Sequence, residues 1–193
     1  MTAASTAKGE RRRHALVAAA AQLLAEGGFD AVRHRAVAER AGLPLASTTY
    51  YFASLDELVE AAVEHHAVGE LAEVRTRLRR AGEHVNVVEL VVDMLLGVGS
   101  AHDFDAVLLR YERLIGTGRR PYLRPLMRRL GAEFHGLLLE IFVAGRIPVD
   151  AARVDQITAL VDGAVVNALI EVHPDPRGVA RKMLLSVMPE LDR

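Results

Sequence analysis

Arg33-His34-Arg35-Ala36-Val37-Ala38-Glu39-Arg40-Ala41-Gly42-Leu43-Pro44-Leu45-Ala46-Ser47-Thr48-Thr49-Tyr50-Tyr51-Phe52 is the stretch on which the fold turns. Val37, Ala38 and Ala41 recur at helical spacing, and Gly42 follows where a left-handed cap lets the chain turn without a Cβ clash. Leu43 is placed to plug the resulting corner. Pro44 suits the opening of a new helix because it has no amide proton to leave unsatisfied, and residues 45–51 continue that helix. Two short helices joined at a glycine read as a helix-turn-helix. Ala46, Ser47, Thr48 and Thr49 keep the start of the second helix slim enough for a DNA major groove, with hydroxyls to reach phosphates or base edges. Tyr50 and Tyr51 add apolar area with a polar tip. Adjacent positions on a helix point about 100° apart, so both phenols cannot face one small core, which disfavours a buried helical hairpin.

Working outward, Gly28-Phe29 precedes the motif, Ala38 to Gly42 and Tyr50-Tyr51-Phe52 lie within it, and Ser54-Leu55-Asp56-Glu57-Leu58 follows it. Over about residues 11–60 this pattern resembles the TetR family of one-component bacterial repressors. Thr48-Thr49, Tyr51 and Leu55 depart from the family's commoner residues. The resemblance implies an all-α chain: an N-terminal three-helix helix-turn-helix DNA-binding domain, residues 1–54, then a C-terminal helical-bundle domain, residues 55–193, for ligand binding and dimerisation. It also implies that Ala46, Ser47, Thr49, Tyr50 and Tyr51 meet the DNA. Arg33 and Arg35 begin the first helix of the motif, which in this architecture crosses the sugar-phosphate backbone.

The 193-residue chain is about half hydrophobic (51%), enough for real cores, and contains no cysteine. That excludes disulfides, thiolate zinc sites and thiol catalysis, and is compatible with a reducing cytoplasm. Asn86, Glu89 and Asp93 interrupt the most apolar stretch, so no membrane span is expected, and no signal-peptide core precedes it. A cytoplasmic protein is the expectation. Net charge is −1, but residues 1–50 hold seven basic groups against four acidic ones, a surplus of +3, so the remainder carries −4. The basic bias sits on the helix-turn-helix half.

Residues 1–9 are small and polar and suggest a disordered lead-in. Arg11-Arg12-Arg13 opens a first helix with Leu16, Ala20, Leu23 and Leu24 buried and Gly27-Gly28 at its end. The arginine run suits either phosphates or solvent. Ser54 and Glu57 form a capping box for a long fourth helix to about Arg80, with Leu58, Ala62, His65, Gly69 and Ala72 down one side and Gly82 after it. Further helices are expected at 86–99, 103–115, 121–144, 150–172 and 178–188. The helix at 121–144 carries one clear apolar stripe from Leu123 to Ile141. In the helix at 150–172, Ala159, Val166 and Ile170 lie opposite Val154, Val161 and Val165, so it is apolar nearly all round and asks for cover from a second subunit. Val165 and Ala168 are the expected seam.

No metal or catalytic constellation emerges. His65-His66 diverge on their helix, Gly97-Val98-Gly99 and Gly116-Thr117-Gly118 lack a phosphate loop's context, and Ser47 and Ser100 lack that of a nucleophile. No cofactor is expected. Met94, Phe104, Tyr111 and Phe134 concentrate aromatic and thioether groups in the second domain, and with His66, Asp162 and Asn167 as polar anchors they are the candidate ligand-binding residues. The expected partners are an operator in double-stranded DNA, a small apolar effector and a second copy of the chain. The function expected is transcriptional repression, with the effector releasing DNA through the fourth helix. A helical-bundle carrier or enzyme without DNA binding, and a DNA-binding protein with no effector, are the alternatives.

Overall fold

Glycine conformations set the helix ends. The computed structural model describes residues 7–82, 84–98 and 104–188. Gly42 (φ 63) and Gly82 (φ 56) both adopt the left-handed region expected of them, the first turning the chain inside the motif and the second closing the long fourth helix. Among the described residues there are nine α-helices and no strand: α1 (Ala7–Ala31), α2 (His34–Arg40), α3 (Ala46–Tyr51), α4 (Leu55–Ala81), α5 (Val87–Leu96), α6 (Phe104–Thr117), α7 (Arg124–Ala144), α8 (Ala151–Ile170) and α9 (Pro176–Val187). A 3-10 turn, Pro121–Leu123, leads into α7. The all-α expectation holds.

Several local expectations shift. Ala7, Lys8 and Gly9 are already helical, where a disordered lead-in was expected; residues 1–6 lie outside the described residues. α1 is interrupted by non-helical backbone at Gly27 and Gly28, as its sequence suggests. Pro121 opens a 3-10 turn, where the start of a continuous helix was expected. Gly99, Ser100 and Asp103, which entered the sequence reading, lie outside the described residues.

Contacts divide the chain into two compact units, residues 1–68 with 112–126, and residues 69–111 with 127–193. The first unit contains the helix-turn-helix. α1 packs on α2 and α2 on α3, burying Leu16, Ala20, Leu24, Val37 and Phe52. Ser54 Oγ accepts the Glu57 amide at 3.1 Å, while the Glu57 carboxylate accepts the Ala53 amide at 2.7 Å, so the capping box forms one residue wider than its usual pattern. Leu58 and Ala62 are buried, but His65, Gly69 and Ala72 are exposed, because further along α4 the buried side is the one that carries Leu71 and Val74, which at about 100° per residue is roughly opposite Leu58.

The second unit has one apolar core, in which Val91, Leu95, Leu137, Leu138, Ile141, Val161, Val165 and Leu184 are sealed. α9 packs against both α8 and α5. Buried charge ties these helices together. Asp93 on α5 takes hydrogen bonds from Arg177 of α9 and, at 2.9 Å, from Arg77 of α4, and Arg177 also donates to the Gly97 carbonyl at 2.7 Å. Arg110 of α6 donates to the Met94 and Leu95 carbonyls at 3.0 and 2.8 Å, satisfying carbonyls that the last turn of α5 leaves open, and pairs with Glu70. Of the expected seam residues, Val165 (0% exposed) lies in this core and Ala168 (3%) is buried, so neither is open to another subunit. The uncovered side of α8 carries Ala159, Leu160, Gly163, Asn167 and Ile170.

Candidate nucleic-acid interface and effector unit

α3 is short and starts without a side-chain cap, and its presentation follows from what it buries. Thr48 is fully buried and its hydroxyl donates to the Leu45 carbonyl at 2.8 Å, so it anchors the helix and is not a groove-facing hydroxyl. With Thr48 inward, Ala46, Thr49 and Tyr50 are exposed and Ser47 and Tyr51 half-buried. Tyr50 is 80% exposed, and its ring meets Tyr51 edge-on at 4.9 Å, which steadies a large apolar surface in solvent. Thr49 Oγ1 donates to the Ala46 carbonyl at 3.2 Å and keeps its acceptor capacity.

Arg33 and Arg35 are both exposed at the start of α2. Arg33 Nε donates to the Asp30 carbonyl at 3.1 Å, leaving its remaining guanidinium donors for other groups. Arg13 does not extend freely: its guanidinium lies 5.0 Å from the centre of the Phe52 ring, a stacking that joins α1 to the end of the motif. Arg40 is spent in a two-bond pair with Glu26, at 2.9 and 2.8 Å, whose hydrogen bonds hold the Glu26 carboxyl below its ordinary value. All the residues expected at DNA therefore lie in the first unit.

The candidate ligand residues divide. Met94 and Tyr111 belong to the core of the second unit, and Phe104 and Phe134 pack against it half-buried. The Tyr111 hydroxyl donates to Asp162 at 2.7 Å. Burial raises the Asp162 carboxyl above its ordinary value, and burial with the neighbouring carboxylate pushes the Tyr111 phenol up. Among the described residues Asp162 has no ion-pair partner, whereas Asp93, Glu89 and Glu70 of the same unit are each paired with arginine. Asn167 is exposed on the uncovered side of α8. His66 lies in the first unit, where its Nε2 faces Arg113 at 2.9 Å; the guanidinium can only donate, so this nitrogen accepts.

Residues 82–190 match the family "Tetracyclin repressor-like, C-terminal domain", and residues 16–62 match "Bacterial regulatory proteins, tetR family". The chain belongs to the TetR family. It is thus a DNA-binding transcriptional regulator, and α3 lies in the segment that matches the family's N-terminal part. Among solved structures, the multidrug binding protein EbrR complexed with proflavin is similar at 29% identity, with 92% of this chain and 99% of that one covered and a TM-score of 0.65. A TetR family member from Streptomyces coelicolor is similar at 28% identity, with 92% and 98% covered and a TM-score of 0.62. A TetR transcription regulator from Haloarcula marismortui, at 15% identity, 94% and 98% coverage and a TM-score of 0.70, shares the fold. No curated protein matches the chain. Among the described residues, no helix is long and apolar enough to cross a membrane, and no three His, Asp or Glu side chains come together as a metal site.

Sequence reasoning missed Thr48 as the buried anchor of α3, and it missed the partners of Arg13, His66 and Asp162. A threonine at the third position of a six-residue helix carries little periodic signal. The other partners are far apart in sequence.

Proposed function

We propose that this TetR-family regulator is a homodimeric repressor, without catalytic activity and working in the cytoplasm, released from its operator by a small apolar effector that carries a positive charge. Residues 1–54 read DNA and residues 55–193 bind effector and dimerise. In this reading Arg33 and Arg35 hold phosphates, Ala46, Ser47, Thr49, Tyr50 and Tyr51 meet the groove, and α4 carries the effector's signal. Dimerisation is supported by the uncovered side of α8, where Leu160 is 46% and Ile170 74% exposed beside the small residues Ala159 and Gly163.

The observation that carries the effector's charge is Asp162, a carboxylate in the apolar second unit that bonds a phenol, feels the charge of Arg110 without pairing with it, and has no ion-pair partner among the described residues. A bound cation would supply the missing charge. The similar EbrR is described in complexes with proflavin, malachite green and ethidium, which agrees with that chemistry. Met94, Phe104, Tyr111 and Phe134 would supply the apolar and aromatic contacts.

The test is a thermal-shift screen of hydrophobic amines, cationic dyes and their neutral analogues, followed by operator-release measurements. Cationic members should raise the melting temperature and release DNA, and Asp162→Asn should abolish their advantage over neutral analogues. Ligands that stabilise the protein without shifting its DNA affinity would sink the effector switch. Equal responses to neutral and charged members would sink the charge alone.

A further inference from the structure

The segment between α6 and α7 follows a helix that begins in the second unit, yet residues 112–126 belong to the same compact unit as the helix-turn-helix. Its contacts there are specific. The Arg120 guanidinium lies 3.6 Å from the centre of the Phe29 ring, and its Nη1 donates to the Gly116 carbonyl at 2.9 Å. Gly116 lets that ring in, since a Cβ there would stand 3.1 Å from Phe29 Cε2. Two residues after Arg120, burial and the Asp56 carboxylate in the first turn of α4 push the Tyr122 phenol above its ordinary value, which puts that phenol in the neighbourhood of Asp56. Leu123 beside it is fully buried.

Phe29 and Asp56 have one property in common. The first lies just before α2, at the point where the chain comes into the helix-turn-helix, and the second just after α3, where the chain leaves it. A guanidinium stacked on one, two residues from a phenol near the other, puts this short connection at both boundaries of the motif. A cation over a ring at this distance, backed by hydrogen bonds, restrains direction as well as distance.

We propose that the α6–α7 connection is a bracket on the helix-turn-helix, with Arg120, Phe29 and Tyr122 as positioning residues that set the pose of the recognition helix and hence DNA affinity. The inference rests on the family's DNA binding, not on the identity or charge of an effector.

The experiment uses the full chain and the duplex that the wild-type protein selects from a random DNA library. Failure to select any duplex would refute DNA binding itself, and with it the bracket. Given a selected duplex, Arg120→Met should lower affinity roughly tenfold while the protein stays folded, with Arg120→Lys recovering part of the loss and Phe29→Leu adding little to Arg120→Met. The salt slope decides the mechanism. A positioning residue leaves the slope of log K against log salt unchanged, whereas loss of a phosphate ligand reduces it by about 0.9. Amide hydrogen exchange should rise across residues 34–51 and stay unchanged across α8. Wild-type affinity in folded Arg120→Met, or a slope reduced by about 0.9, would overturn the proposal.

Discussion

Replacing Arg177 with Met should be among the most destabilising single changes in the second unit. Arg177 is 6% exposed and Asp93 8%, so their pair is shielded from solvent, and the substitution removes one of the two arginines on that carboxylate. Breaking a buried pair from one side typically costs about 3–5 kcal/mol. Arg77 still reaches Asp93 at 2.9 Å, which places the loss near the low end, about 3 kcal/mol. The bond from Arg177 to the Gly97 carbonyl is lost as well. For a chain of this size that corresponds to a fall in melting temperature of about 6–12 °C. Asp93→Leu combined with Arg177→Met should recover most of the loss, because two apolar side chains leave no buried charge behind, and the non-additivity should be about 2 kcal/mol or more. By contrast Arg181→Ala, at a pair with Glu89 whose side chains are 41% and 42% exposed, should cost no more than about 1 kcal/mol. Urea denaturation followed by helical circular dichroism, at one fixed protein concentration, measures these three variants, Asp93→Leu alone and the wild type. A cost for Arg177→Met no larger than that for Arg181→Ala would refute the reasoning.

Three further outcomes follow from particular positions. Leu160→Arg or Ile170→Arg should give a folded monomer in sedimentation and abolish tight DNA binding, whereas Val165→Arg, at a fully buried position, should unfold the second unit. Because burial raises the Asp162 carboxyl, the folded chain holds that proton more tightly than the unfolded one, and stability falls as pH climbs through the interval between the two values. Asp162→Asn should therefore be more stable than wild type at neutral pH, with the difference shrinking towards pH 4. Arg33→Ala and Arg35→Ala should weaken binding to all duplexes alike and each reduce the salt slope by about 0.9 for one phosphate contact, read from affinity at several salt concentrations.

The parts of the fold written in short-range signals were readable in advance. Gly42 and Gly82 announce left-handed turns, Ser54 and Glu57 announce the start of α4, and apolar spacing announces the later helices to within a few residues. Other features depend on pairs that spacing cannot connect. Asp93 meets Arg177 across 84 positions and Tyr111 meets Asp162 across 51, and no local pattern marks either. Periodicity revealed two apolar sides on α8 but not which of them the chain's own core would take, so Val165 and Ala168, expected at a seam, proved to be buried within the chain. The composition of α3 marked it as the segment expected at DNA. Only packing shows that Thr48 is spent holding it. The stack of Arg120 on Phe29 was invisible for a similar reason, since Arg120 belongs to no motif and lies 91 positions from Phe29.

The account stands most directly on α3 reading DNA through its exposed tyrosine. Tyr50 is 80% exposed, so Tyr50→Ala should change folding stability by no more than about 0.5 kcal/mol. The measurement is the affinity of wild-type and Tyr50→Ala protein, of matched melting temperature, for the duplex that wild type selects. A loss of about 5- to 150-fold, equivalent to about 1–3 kcal/mol, is the expected result. Equal affinity of the two folded proteins would contradict it.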